Sequence, residues 1–96
     1  MLTKEEILNI LRLYKAELAE QFKVHKLALF GSFARGDQRA DSDVDILVDV
    51  DSSIGLDFVT LAERIEKLLN APVDLVSTRA VNPKAWKFIE PELIYV

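Results

Sequence analysis

"FGSFARGDQRADSDVDILVDV", residues 30–50, decides how the chain is read, because it sets five aspartates between a Gly-Ser turn and the end of a strand-like run. Side chains on a strand alternate between faces. The strand expected over residues 43–50 therefore puts Val44, Ile46, Val48 and Val50 on one side, and Asp43 and Asp45 together on the other. The apolar side is the core. Aspartate is disfavoured in strands, and two ionised carboxylates ~7 Å apart along a strand, at a rise of ~3.3 Å per residue, repel unless water or a cation screens them. At ~4 Å between charges and an effective dielectric of ~20 the repulsion approaches 4 kcal/mol. A hard divalent cation would turn that liability into binding.

Upstream, "KLALF", residues 26–30, is a short apolar run closed by Gly31, as expected of a covered strand. Ser32 is placed to cap a short helix beginning at Phe33, and residues 36–41 are polar and turn-rich. Thr3 with Glu6 fits a capping box, and Ile7, Ile10, Leu11, Tyr14 and Leu18 follow at helical spacing. Downstream, residues 55–70 return to helical spacing through Phe58, Val59, Ala62, Ile65 and Leu69, leaving Glu63, Glu66 and Lys67 on a solvated face. Pro72 and "VDLVS" suggest a third strand. Asn82-Pro83 is an N-cap and first-turn pair for a last helix that Pro91 interrupts. "LIYV" closes the chain as an edge strand or a helical tail. The pattern indicates an α/β (α+β) domain, residues 1–96, with helices on a small mixed sheet of three to four strands.

Asp74, flanked by Val73 and Leu75, must point away from them. If its strand neighbours residues 43–50, it completes a three-carboxylate cluster. Oxygen-only ligands suit Mg²⁺ or Mn²⁺, and no His/Cys set for zinc is present. Single aspartates at strand ends are commonly solvated, and Asp49 and Asp51 are assigned to that class. Gly31 ends a strand and Ser32 opens a helix, so backbone N–H groups face the turn, a place where phosphate binds well. A Gly-Ser before a helix is more often simply a cap. It is not a Walker A loop, since Asp37 stands where the lysine is needed.

Composition narrows the function further. Sixteen acids against twelve Lys plus Arg give a net charge of −4, and no dense basic block occurs, so nucleic acid is a poor fit as principal partner. The absence of cysteine excludes a disulfide framework and suits a reducing cytoplasm, and no apolar run approaches the ~20 residues that span a bilayer. A cytoplasmic protein is expected.

Gly-Ser, ten intervening residues, Asp-x-Asp and a later strand-borne Asp are similar to the signature of the polymerase-β-type nucleotidyltransferases. Residues 24–78 most resemble the minimal nucleotidyltransferase branch, small partners encoded beside HEPN-domain proteins in toxin–antitoxin pairs. The resemblance implies the nucleotidyltransferase fold and ATP as donor. It also implies that Gly31 and Ser32 hold the nucleotide's phosphates, that Asp43 and Asp45 bind two Mg²⁺ ions, and that Asp74 is the third catalytic carboxylate. Arg35 matches a recurrent arginine of this branch that either contacts phosphate or bridges to the acidic strand; Arg39 and Ser42 are weaker nucleotide-binding candidates.

In larger members an additional domain holds the acceptor. Ninety-six residues leave no room for one, so a second polypeptide is expected to supply it, with "WKFIEPELIYV" as the contact. Transfer of AMP to a tyrosine of a cognate HEPN toxin is the first expectation. Neutralisation by occlusion and transfer to a small molecule are the alternatives, and a homo- or hetero-oligomer stays open. The tripeptide Arg35-Gly36-Asp37 is read as coincidental, His25 as a surface residue, and Trp86, Phe88 and Ile89 as core or interface, with Trp86 not taken as a base-stacking platform.

Overall fold

The computed structural model describes residues 2–96. Helix α1 (Lys4–Phe22) starts at Thr3, whose side chain accepts from the Glu6 amide, and stops at Lys23, which turns into the left-handed region at φ 56°. Strand β1 (Val24–Phe30) runs into the four-residue helix α2 (Ser32–Arg35). Strand β2 (Val44–Val50), helix α3 (Asp57–Leu69) and strand β3 (Val73–Ser77) follow. After a short 3₁₀ turn come helix α4 (Pro83–Ile89), capped by the Asn82 side chain, a second 3₁₀ turn at Glu90–Glu92, and strand β4 (Ile94–Tyr95). The elements fall in the expected order, with α3 shorter at both ends than the helical spacing over residues 55–70. β1 starts two residues earlier than the apolar run, β2 one residue later than expected, and the closing "LIYV" resolves as an edge strand.

The sheet has the order β3-β2-β1-β4. β1 is antiparallel to both of its neighbours, while β2 and β3 are parallel with Asp45 opposite Asp74. A parallel pair needs a crossover, and α3 supplies it. The alternation of β2 is read out directly in burial. Val44, Ile46, Val48 and Val50 join Ile7, Leu11, Leu18, Leu61 and Ile65 in one core against α1 and α3. Ala28, Phe30 and Leu47 belong to a smaller cluster on the opposite face, against Trp86, Ile89 and Leu93. The Arg64 guanidinium of α3 reaches both carboxylate oxygens of Glu17 on α1, at 3.3 and 3.2 Å, and ties the two core helices together. Among the described residues no helix is long and apolar enough to cross a membrane.

Candidate active site

Two aspartates meet because β2 and β3 run parallel in matched register. Asp45 and Asp74 are lateral neighbours, and adjacent strands lie only ~4.8 Å apart. Asp43 stands one residue before β2, exposed, and shares the Asp45 face by the period of two. Burial, then the carboxylates of Asp74 and Asp43, push Asp45 from the ordinary 3.8 up to about 6; Arg35 pulls the other way and Glu92 adds to the push.

Gly31 closes the site from the β1 side. Its backbone, at φ 77°, lies in a region favourable only to glycine, and a Cβ placed on it would sit 2.0 Å from a carboxylate oxygen of Asp45. The turn and the acidic strand are thus in direct apposition. The expectation that Ser32 caps a helix starting at Phe33 is corrected. Gly31 occupies the N-cap, and Ser32 is the first helical residue, its carbonyl accepting from the amides of Gly36 and Asp37 at 2.8 and 3.1 Å. A glycine with positive φ turns the chain one residue earlier than a serine cap would.

Arg35 departs from one of the two roles left open for it. Its guanidinium pairs with Asp37 at 3.1 Å and Glu92 at 2.8 Å, neither of them on β2. Those hydrogen bonds, first to Glu92 and then to Asp37, hold its pKa above the ordinary value. Ser42 serves the loop: its hydroxyl accepts from the Arg39 amide at 2.9 Å, and its own amide donates to the Arg39 carbonyl at 3.0 Å. Glu66, expected on a solvated face, instead accepts the Val73 amide at 3.1 Å at the start of β3.

One residue at the site was missed. Glu92 places one carboxylate oxygen 3.1 Å from the Gly31 amide and the other on Arg35, from a position 61 residues along the chain. Nothing local in "EPEL" announces this, because the contact exists only once β4 has paired with β1.

Among the described residues no group of three or more His, Cys, Asp or Glu side chains stands ready-arranged to hold a metal ion. The carboxylates expected to meet are neighbours rather than a closed cage. Their chemistry nonetheless fits a hard divalent cation: the donors are all oxygen, and burial, with the neighbouring carboxylates adding to it, raises Asp45. A larger, mainly apolar cavity of about 430 Å³ lies between Val50, Ile54, Phe58, Leu75 and Arg79, at the opposite end of β2 and β3 from the acids. It lacks the carboxylates that phosphate chemistry through a cation requires.

A mixed sheet that sets Asp-x-Asp at the start of one strand and a further aspartate on the next, beside a Gly-Ser turn, defines a class. The family described as "Nucleotidyltransferase domain" matches residues 11–95, and the chain belongs to that family as an enzyme of its minimal branch, a nucleotidyltransferase. It is 44% identical over 97 residues to "Protein adenylyltransferase MntA" of Thermococcus cleftensis, spanning 100% of this chain and 98% of that one. Among solved structures, "Structure of putative minimal nucleotidyltransferase" aligns with a TM-score of 0.83 at 31% identity, over 97% of this chain and 95% of the other. "Crystal structure of the toxin-antitoxin with AMP-PNP" aligns at 0.59 and 30% identity, over 84% of this chain and 61% of its counterpart.

Proposed function

We propose that the chain is a Mg²⁺-dependent protein adenylyltransferase that moves AMP from ATP to a hydroxyl on a partner protein, a tyrosine of a cognate HEPN toxin, and so acts as the antitoxin. The observation that carries this is the lateral pairing of Asp45 with Asp74 against the Gly31 turn. The adenylyltransferase named in Thermococcus cleftensis, similar over nearly all of both chains, supports the donor and the protein acceptor. The toxin–antitoxin structure with AMP-PNP supports the toxin partner and the nucleotide.

In the reaction the acceptor oxygen forms a bond to the α-phosphorus while the bond from that phosphorus to the pyrophosphate oxygen breaks, and the hydroxyl proton must leave. Asp43, Asp45 and Asp74 would hold the divalent cations, two of them with Mn²⁺ able to substitute; when bound, such ions supply charge neutralisation for the triphosphate and the leaving pyrophosphate. The amide of Gly31, with Ser32 beside it, would bind and orient phosphate oxygens, and a freed Arg35 would add a cation on the same side. Asp74, exposed where Asp45 is half-buried, would take the acceptor's proton. The acceptor must come within reach of Asp74, and the partner protein presents it.

Incubation of the chain with labelled ATP, Mg²⁺ and the product of the neighbouring gene, followed by intact mass of both proteins, tests the reaction. One or more adenylyl groups are expected on the partner. No gain on either chain, with a complex still formed and the partner neutralised, would replace transfer by occlusion.

A further inference from the structure

The Gly31 amide has one hydrogen to give, and Glu92 already holds it, at 3.1 Å. The second oxygen of the same carboxylate takes Arg35 at 2.8 Å. A single side-chain anion thus spans the backbone donor and the nearby cation that the proposed function assigns to phosphate. It does so near three aspartates, where a fourth negative charge is adverse, and its side chain remains about a quarter exposed (26%). The residue belongs to the 3₁₀ turn at Glu90–Glu92, two positions before the two-residue strand β4. A backbone N–H cannot serve two acceptors at full strength, and a carboxylate beside a triphosphate repels it.

Resting on the nucleotide assignment above, we infer that Glu92 is an internal competitor for the triphosphate, a carboxylate that occupies the Gly31 amide and Arg35 and must swing out before a nucleotide can be seated. The turn carrying it is then a gate. Because β4 pairs with β1 through Ala28 and Leu29, with one further bond from the Val96 amide to the Leu27 carbonyl at 3.0 Å, displacement of Glu92 acts on the short C-terminal edge of the sheet, and anything that pulls on that edge acts on the gate. A residue that merely buttressed the turn would weaken nucleotide binding when removed. A competitor strengthens it.

The test is the dissociation constant of AMP-PNP with Mg²⁺, and of Mg²⁺-tripolyphosphate, measured calorimetrically for the full chain and for Glu92→Gln and Glu92→Ala. Both variants should bind both probes more tightly, the alanine by about tenfold, the scale of one charge-assisted hydrogen bond. Wild-type binding with equal or weaker binding by the variants overturns the gate and leaves the nucleotide site standing. Failure of all three chains to bind removes the nucleotide site itself, and the gate with it. Should a variant not fold, amide resonances of the unaltered chain decide. Gly31 and Glu92 must shift together on titration with Mg²⁺-AMP-PNP, and an unmoved Glu92 overturns the inference.

Discussion

On one face of β2, Val44, Ile46 and Val48 are wholly buried against α1 and α3; on the other, Asp45 is half-buried beside Asp74, and only Leu47 is covered, beneath α4. Seven residues of one strand therefore divide the work by parity. The apolar face excludes water and carries the hydrophobic stabilisation. The acidic face half-buries Asp45 beside other carboxylates, and burial first, then their charge, raises its pKa. Such a division makes stability and chemistry separable by single substitutions.

The sharpest test of that separation is Asp45→Asn with Mg²⁺, ATP and the partner protein. Transfer should fall by at least about 10³-fold, equivalent to ~4 kcal/mol of transition-state stabilisation, while the far-UV spectrum and the unfolding transition persist. Loss of the fold along with activity would break the comparison. Ile46→Ala, one residue away on the other face, should do the reverse. Chemical denaturation should show a loss of about 3 kcal/mol, the cost of a large-to-small change at a fully buried site.

A smaller effect concerns pH. With a folded-state pKa near 6 and an ordinary value of 3.8, Asp45 holds its proton in the folded chain over a range where the unfolded chain has released it. Folded protein thus binds more protons there, and stability falls as pH rises from about 4 to about 6, staying low above. Asp45→Asn should lack that fall, and in chelator-treated protein it should gain about 1 kcal/mol over wild type at pH 7.5 but almost nothing at pH 4, solvent screening at this half-buried site keeping the gain below the full shift. Thermal melts across that range measure it. The least consequential change is Glu17→Gln, which removes an ion pair to Arg64 that is more than a third exposed on both sides. It should cost under about 1 kcal/mol and less at high salt, as melts at two ionic strengths would show.

Much of this was legible in the order of residues. The period of two in residues 43–50 separates core from acid, Thr3 and Asn82 mark helix starts, and Gly31-Ser32 followed after ten residues by Asp-x-Asp points to the candidate site. What could not be read depends on pairing at long range. That β2 and β3 are parallel, with Asp45 level with Asp74, follows from the α3 crossover rather than from any local pattern. The Glu92 contact requires β4 on the outer side of β1, which no helical or strand period predicts. Arg35 was ambiguous for the same reason, since its true partner Glu92 lies 57 residues away.

The β2–β3 alignment has a consequence for how errors in this protein would propagate. Val44 donates to the Pro72 carbonyl at 2.9 Å, and Glu66 holds the Val73 amide, so both anchors act at the first residue of their strands. A slip of one position would turn Asp74 inward among hydrocarbon and bring Val73 or Leu75 out to the solvent side. Hydrophobic assembly and placement of the acids are thus one event, proofread by the same ladder: a chain that has sorted its oil from its water has, in that act, already aimed its carboxylates.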